Sequence, residues 1–263
     1  MAQPAFNPSA GIIQIRFIGL AFGLSAACFG RTPLRAMSHL GLRPRAGKPD
    51  LIQTPMNKFA ILLGGDVTPT ERLKAQVKGR RVIAADSGIA HAATLGLAPE
   101  LWVGDFDSAG TALVLAYDHV PREVFPADKA ATDGELAITA ALKRGARDLL
   151  LVGGFGGQFD HAMAHALLLV ELARRGVPAV LTSGDEEAHA LVNILLFAGL
   201  KPGTRLSIIV LTDLVGLNIS GVRWPLKDKS VPRGSTLTLS NEVEGNVVIG
   251  CSSGEALVVI YPR

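Results

Sequence analysis

The chain has 263 residues, of which 48% are hydrophobic, 19% charged and 5% aromatic. This composition supplies enough apolar surface for one large core or two small ones, which excludes a disordered or fibrous protein. The net charge is +3, but the first 55 residues carry +5, which leaves −2 for the remainder and no charge pattern typical of nucleic-acid binding. The cysteines, Cys28 and Cys251, form no Cys-x-x-Cys pair, which excludes zinc ribbons and disulfide scaffolds. They favour a reducing compartment, so we expect a cytoplasmic protein.

The first 55 residues differ from the rest of the chain. Six prolines interrupt them, and the uncharged apolar run at residues 17–30 is shorter than the roughly 20 residues of a membrane-spanning helix. An export signal is an alternative, since Ser-Ala-Ala-Cys at residues 25–28 resembles a lipoprotein cleavage site, but the preceding basic region is missing. We therefore expect residues 1–55 to be a disordered extension, or sequence upstream of a true start at Met56, without membrane association.

From residue 58 onward, short apolar runs alternate with helical segments. The runs predict strands at residues 59–63, 82–85, 101–103, 149–152 and 178–182. The capping residues predict helices that begin at Thr68, Ser87, Thr132 and Asp160 and end near residues 79, 95, 144 and 175. The last helix is apolar nearly all round between residues 162 and 170, which predicts that it is buried. This alternation predicts a doubly wound, mostly parallel α/β sheet in a nucleotide-binding domain at residues 56–188.

After residue 189 the pattern changes to the period of two that is typical of half-buried strands. The alternating apolar positions are Leu206, Ile208 and Val210, then Leu237 and Leu239, with further strands at residues 247–249 and 256–260. No long helical pattern remains. The sequence therefore predicts a small antiparallel β-sandwich or barrel domain at residues 189–263.

Acidic residues gather where the predicted parallel strands end. Asp86 follows the second strand, Asp105 and Asp107 follow the third, and Asp133 and Asp160 stand at helix starts. In an open parallel sheet, ligands bind beyond the carboxyl ends of the strands. Clustered carboxylates need a cation, and Mg²⁺ suits a site shared between one or two carboxylates and phosphates. The alternative for each residue alone is ordinary: Asp86 and Asp160 as helix caps, and Asp-x-Asp as part of a turn.

Glycines and helix starts at the same edge predict a phosphate site. Gly64, Gly65 and the glycine-rich segment 153–157 allow backbone N–H groups to approach phosphate oxygens, and helix N-termini favour anions. Together with the carboxylates they suit a nucleoside triphosphate with Mg²⁺, although glycine pairs are also common in ordinary loops. His161 and His165 lie four residues apart but lack a third ligand, so we do not expect a zinc site.

Taken together, these motifs resemble the thiamine pyrophosphokinase family over residues 59–260. The resemblance rests on Ala-Asp-Ser-Gly at 85–88, Gly-Asp-Phe-Asp-Ser at 104–108, Lys-Ala-Ala-Thr-Asp at 129–133, Gly-Gly-Phe-Gly-Gly-Gln-Phe-Asp-His at 153–161, Gly-Val-Arg-Trp at 221–224 and Leu-Ser-Asn-Glu at 239–242. Three residues depart from the family pattern: Ala130 replaces an Asp, Ser87 a Gly and Gln158 an Arg.

The resemblance implies that the β,γ-pyrophosphate of ATP is transferred to the hydroxyl of thiamine, giving thiamine diphosphate and AMP. It implies a homodimer whose thiamine pockets lie between the nucleotide domain of one subunit and the β domain of the other. The implied catalytic residues are Asp105, Asp107, Asp133 and Asp160, the first two of which would hold Mg²⁺. On the ATP side the implied residues are Gly64, Gly65, Asp86, Lys129, Thr132, Gly154 and Gln158; on the thiamine side they are Trp224, Ser240 and Asn241.

Two other functions remain open at this point. The Asp-x-Asp pair at Asp105 and Asp107 also resembles that of metal-dependent phosphatases and nucleotide-sugar transferases, although the phosphatases carry it after the first strand rather than the third. A non-catalytic binder of thiamine or nucleotide is the second alternative, with Ala130 and Gln158 as signs of lost activity. Both differ from the kinase in their products, since neither releases AMP when thiamine is supplied.

Overall fold

A computed structural model describes residues 57–106, 110–126 and 130–262 of the chain. These residues form helices α1 Glu71–Val77, α2 Ala90–Leu95, α3 Thr111–Ala116, α4 Asp133–Lys143 and α5 Phe159–Arg174, with a 3₁₀ turn at Asp86–Ile89. Their strands are β1 Lys58–Leu62, β2 Arg81–Ala85, β3 Leu101–Gly104, β4 Arg122–Val124, β5 Asp148–Val152, β6 Ala179–Thr182, β7 Glu187–Leu191, β8 Ile194–Phe197, β9 Arg205–Val210, β10 Leu214–Val222, β11 Leu226–Val231, β12 Asn241–Gly250 and β13 Ala256–Tyr261.

The first half of the fold is a parallel sheet with helices on both faces. Its strand order is β4-β3-β2-β1-β5-β6, and every neighbouring pair is parallel. Because side chains alternate along a strand, β1 sends Phe59 and Ile61 to one core and Ala60 and Leu62 to the other. Helices α4 and α5 cover the first core, and α1 and α2 cover the second. The predicted parallel α/β arrangement is therefore confirmed.

The second half is antiparallel and continues the same sheet. Strand β7 pairs antiparallel with β6 on one side and with β13 on the other, and β13 in turn pairs with β9. Strands β8, β10, β11 and β12 form a second sheet whose apolar face shares a core with β9 and β13. The boundary expected between residues 188 and 189 falls inside β7, so the division into two domains stays a prediction.

Strand β12 joins the two sheets. Its first residues, Asn241 and Glu242, pair with β9, and its later residues pair with β10 and β8. The inward positions Ile208 and Val258 of the main sheet therefore meet Ile219 and Ile249 of the second sheet in one buried cluster. This packing of two sheets around an apolar layer buries the antiparallel half without any helix.

Several local expectations are wrong. Helix α1 begins at Glu71, because the hydroxyl of Thr70, not Thr68, accepts from Leu73 N; the N–H of Thr68 instead donates to Ser183 O. Asp160 lies in the first turn of α5 behind the N-cap position of Gln158, where its carboxylate accepts from the N–H of its neighbour. Several neighbouring residues with short polar side chains can each serve as the N-cap of a helix. Hydrogen bonds to distant segments decide which of them does.

Two further predictions from apolar patterns are wrong. Leu237 and Leu239 lie in an exposed turn rather than a strand, because Thr238 between them is held by bonds to Ile208 of β9. Helix α5 is not buried all round: Phe159, Met163 and Leu167 are exposed along one face, and Phe159 keeps 78% of its surface accessible. Among the described residues, no helix is both long and apolar enough to cross a membrane. The predicted extension at residues 1–55 lies outside the described residues.

A buried ion pair connects α1 to β7. Glu187 is fully buried and accepts hydrogen bonds from the guanidinium of Arg72 and from Gln76 Nε2 at 2.8 Å, while His189 Nε2 lies 3.4 Å from Glu187 Oε2. Burial alone would raise the pKa of Glu187, but the hydrogen bonds from Arg72 and the nearby His189 outweigh burial and lower this pKa to about 2. The carboxylate is therefore charged in the fold and stabilises the junction of the two halves.

We expect Glu187→Gln to lower the free energy of unfolding near neutral pH by about 2 kcal/mol, because Arg72 loses its charged partner. The pKa of Glu187 in the fold lies below its ordinary value of 4.5, so its contribution is complete above that pH and is lost as the pH falls toward 2. Urea unfolding at neutral and acid pH measures this: the difference between wild type and variant should shrink in acid. Glu71→Gln, at an exposed carboxylate, is the control. An unchanged unfolding midpoint for Glu187→Gln would show that the pair adds no net stability.

Candidate active site

Asp86 and Asp105 follow neighbouring parallel strands. Ala85 of β2 is in register with Val103 of β3, so the next residues of both chains leave the sheet at the same edge. A Cβ placed on Gly104 would lie 3.4 Å from the Cα of Asp86, which shows how closely the two strand ends approach. Both aspartates are half-buried. The structure thus brings these two predicted carboxylates together at the carboxyl edge of the sheet.

Backbone hydrogen bonds join the glycine-containing segments that follow β1 and β5. Gly65 N donates to Gly153 O at 2.8 Å, Asp66 N donates to Phe155 O at 2.8 Å, and His91 Nε2 bonds to Gly65 O at 2.9 Å. A Cβ on Gly65 would lie 2.5 Å from Gly153 O and closer still to Phe155 O, so only glycine fits. The expected approach of Gly65 N–H to phosphate is not available in this conformation, because that donor is already used by protein backbone.

The start of helix α4 lies over the same edge. Thr132 caps it, with its hydroxyl accepting from Glu135 N at 3.3 Å as the sequence predicts. Gly134 is buried where a Cβ would lie 2.9 Å from Leu63 Cδ2 and 3.0 Å from His165 Nε2. Helix α4 therefore begins against the end of β1 and the side of α5, which brings half-buried Asp133 to the carboxyl edge. The 11-residue helix directs its N-terminal N–H groups to this edge, where they favour an anion.

His165 links α5 to this arrangement, a role that the sequence pattern did not identify. It is buried, bonds to the backbone of Gly154, and faces His161 with the ring centroids 6.4 Å apart. Burial lowers the pKa of His165, and the nearby His161 lowers it further. The contacts of His165 to Gly134 and Gly154 connect the start of α4 with the loop that precedes α5. In the sequence, the only indication was that His161 and His165 lie four residues apart.

The remaining predicted residues of the ATP side are distributed as follows. Gly154 is buried against Leu181, while Gln158 and Asp160 are exposed at the start of α5, and Gly64 contacts the hydroxyl of Ser87. Asp107 and Lys129 lie outside the described residues. Their roles, like those of every site residue named from the sequence, stay predictions.

A cavity lies in the β half. It has a volume of about 380 Å³ and is lined by Ile219, Trp224, Leu226, Leu237, Thr238, Leu239, Ser240 and Asn241. Trp224 keeps 53% of its surface accessible, so its ring is available to a ligand. The structure therefore brings together all three residues predicted for the thiamine side, Trp224, Ser240 and Asn241, around one cavity.

Asn241 holds Trp224 in place. Its Oδ1 accepts from Trp224 N at 3.1 Å, and its Nδ2 donates to Trp224 O at 2.8 Å. The same Oδ1 also accepts from Glu242 N at 2.9 Å, and the side chain is almost wholly buried. The carboxamide of Asn241 is thus occupied by backbone, which makes it a positioning residue for Trp224. The guanidinium of Arg223 lies over the ring of Trp224, 4.9 Å from its centroid, and forms a salt bridge with Glu242.

The donors at the carboxyl edge fit Mg²⁺. They are carboxylates, the hard oxygen ligands that this ion prefers. Among the described residues, no three Asp, Glu, His or Cys side chains form a complete metal site by themselves. Mg²⁺ typically takes one or two carboxylates and completes its shell with phosphate oxygens and water.

Two family models match the chain. The model of the thiamin pyrophosphokinase catalytic domain matches residues 74–181, and the model of the thiamin pyrophosphokinase vitamin B1 binding domain matches residues 198–255. The chain belongs to the thiamin pyrophosphokinase family. Family membership confirms the resemblance found in the motifs and makes the chain an enzyme of the thiamine diphosphokinase class. A search of curated proteins found no match.

Solved structures share the fold at low sequence identity. The thiamine pyrophosphokinase from Bacillus subtilis is 21% identical with a TM-score of 0.70, over 78% of this chain and 99% of that one. A family protein from Enterococcus faecalis is 23% identical with a TM-score of 0.67, over 78% and 99%. The thiamin pyrophosphokinase from Candida albicans is 14% identical with a TM-score of 0.66, over 79% and 90%. At these identities the likeness shows the fold.

We expect Gly65→Ala to lower the free energy of unfolding by about 3 kcal/mol, because the methyl group would collide with the carbonyls of Gly153 and Phe155 and separate the ends of β1 and β5. Urea unfolding followed by circular dichroism measures the change. Gly245→Ala is the matched control, since a Cβ there meets nothing within 4 Å. Equal stability of the two variants would show that the loop adapts without cost.

Proposed function

We propose that the protein transfers the β,γ-pyrophosphoryl group of ATP to the hydroxyl of thiamine in one step. The hydroxyl oxygen forms a bond to the β-phosphorus, the bond between that phosphorus and the oxygen of the α-phosphate breaks, and AMP leaves as the hydroxyl loses its proton. The observation that supports this most is the convergence of Asp86, Asp105 and the start of α4 at one sheet edge. The family models that match the chain describe a catalytic domain and a vitamin B1 binding domain.

On the ATP side, the chain supplies carboxylates and helix N-termini. Asp105 and Asp107 would hold Mg²⁺, which when bound neutralises phosphate charge and orients the pyrophosphoryl group. Asp133 and Asp160 lie in the first turns of α4 and α5, where they can hold the hydroxyl or a metal-bound water. Lys129 precedes Asp133 in the same motif and would face the phosphates. Phosphoryl transfer depends mainly on positioning and charge neutralisation, so no strongly shifted base is required.

On the thiamine side, the ring of Trp224 supplies an aromatic face. Thiamine carries a fixed positive charge on its thiazolium ring, which is attracted to an aromatic face and to carboxylates. Asn241 holds Trp224 by two hydrogen bonds, and exposed Ser240 provides a hydroxyl at the rim of the cavity. This arrangement suits a flat cationic ligand.

We propose that two copies of the chain complete each site. Asn241 is in register with β9, and seven strand intervals separate β9 from β3, which precedes Asp105. At about 4.8 Å per interval the cavity and the acidic edge are about 34 Å apart, farther than one small substrate reaches. Exposed Phe159, Met163 and Leu167 on α5 lie beside the acidic edge and are suited to contact with another copy. These features support a homodimer with the thiamine cavity of one subunit facing the ATP edge of the other.

The first test is production of AMP from ATP, Mg²⁺ and thiamine by purified protein. We expect thiamine-dependent AMP from the wild type and a loss of about a hundredfold or more in Asp105→Asn, because one charge at the phosphate site is removed. Asp118→Asn, at an exposed carboxylate, is the control and should retain activity. Thermal stabilisation by thiamine without AMP would indicate a binder, and inorganic phosphate in place of AMP would indicate a phosphatase.

The shared site has its own test. Asp105→Asn and Trp224→Ala, each inactive alone, should recover about one quarter of wild-type activity when mixed and allowed to exchange subunits, because half of the resulting dimers carry one intact site. The double variant mixed with wild type is the matched control, since exchange there should lower activity rather than restore it. If the mixture of single variants stays inactive although mixed dimers form, each site belongs to one chain.

A further inference from the structure

Trp102 lies directly beneath the acidic edge and contacts the backbone of Asp86. It is a residue of β3, is fully buried, and donates its indole N–H to Asp86 O at 2.8 Å. Asp86 has a φ of 43°, in the left-handed region that side chains other than glycine disfavour. A hydrogen bond to its carbonyl therefore stabilises a conformation that Asp86 would otherwise leave.

The same indole ring contacts the residue between Asp105 and Asp107. Phe106 packs edge-to-face on Trp102, with ring centroids 4.8 Å apart and an interplanar angle of 83°. Phe106 also has a left-handed backbone, with a φ of 64°. Only four residues other than glycine have a positive φ in the described part of the chain, and two of them, Asp86 and Phe106, contact Trp102. Strained backbone of this kind concentrates at functional sites.

Two further side chains close this aromatic cluster on its outer side. The guanidinium of Arg122, on β4, lies 5.0 Å from the centroid of Trp102 and 5.6 Å from that of Phe106, and its Nη2 donates to Val114 O at 2.9 Å. Tyr117 lies edge-on to Trp102 at 6.4 Å. Arg122 is directly opposite Trp102 in the β3–β4 ladder, so the cluster is tied to the sheet.

Packing alone does not require an indole here. The facing residue of β2 in register with Trp102 is Ala84, and the same core is otherwise filled by aliphatic side chains such as Leu62 and Leu150. An aliphatic residue could fill the space, but it could neither donate to Asp86 O nor hold the ring of Phe106. The N–H donor and the ring edge serve the two chain segments that carry the acidic residues.

We propose that Trp102 is a positioning residue for the metal–nucleotide site, fixing Asp86 through its indole N–H and the Asp105-Phe106 segment through its ring. The proposal rests on the proposed function and extends it to a residue that touches neither substrate. It assigns the rigidity of the acidic edge to one side chain of β3. Loss of that side chain should weaken metal binding with ATP more than it weakens thiamine binding.

The test compares Trp102→Phe with wild type by titrating Mn²⁺ in the presence of α,β-methylene ATP, with free Mn²⁺ followed by electron paramagnetic resonance. The variant keeps a ring but loses the N–H donor, so we expect the Mn²⁺ affinity to fall by about fivefold or more. In the AMP assay, the Mg²⁺ concentration that gives half-maximal activity should rise by a similar factor, while the KM for thiamine stays within about twofold.

The control is Phe197→Leu, which truncates a fully buried aromatic side chain in the core shared by the two sheets. It should lose stability without losing Mn²⁺ affinity. Unchanged Mn²⁺ affinity in folded Trp102→Phe, or an equal loss in Phe197→Leu, would overturn the proposal. If Trp102→Phe does not fold, Phe106→Leu tests the ring contact with the indole bond intact, and unchanged affinity there has the same meaning. Absence of AMP from the wild type would instead refute the proposed function, and the Mn²⁺ titration would still decide the role of Trp102.

Discussion

Parallel pairing of β1 with β2 and β5 is the constraint on which the rest of the structure depends. Parallel strands all end at the same edge, so every segment that follows a strand is brought to one side of the sheet. Asp86, Asp105 and the glycines after β1 and β5 meet there although they are far apart in the chain. The pairing also places the two cores on opposite faces of the sheet. The helices that cover them begin at that edge because each of them follows a strand that ends there.

At this edge the loops after β1 and β5 bond to each other rather than to solvent. Gly65 and Gly153 join the ends of β1 and β5, and His165 connects α5 to the start of α4. This uses up backbone donors that glycine-rich loops often present to phosphate. In the proposed reaction, charge neutralisation at the edge would fall to helix N-termini, a metal ion and the basic side chain of Lys129. The replacement of the family's usual arginine by Gln158 would increase that dependence.

The antiparallel half provides the complementary surface. Strand β7 reverses direction after β6, and from there the sheet continues without helices. The ion pair between Arg72 and buried Glu187 attaches β7 to α1, so the two halves are joined by an ion pair as well as by backbone. At the far end, the carboxamide of Asn241 holds Trp224 beside a cavity by two hydrogen bonds. An aromatic face and an acidic edge at opposite ends of one sheet are the two parts that a second copy can bring together.

The alternation of strands β1, β2, β3, β5 and β6 with helices, the acidic and glycine-rich motifs and the family could be predicted from the sequence, whereas α3, β4, β7, β8, β10 and β11 were not. The predicted features depend on local periodicity and on residue types that a motif keeps together. The capping residue of α1, the exposed face of α5, and the turn that contains Leu237 and Leu239 could not, because each is decided by hydrogen bonds and packing to segments distant in the chain. For the same reason the sequence predicted Asn241 as a ligand of thiamine, whereas the fold directs its carboxamide to Trp224. Local sequence determined which groups are present, and only tertiary structure decided which of them remain available to a substrate, since a backbone N–H that donates to the protein, such as that of Gly65, cannot also donate to a ligand.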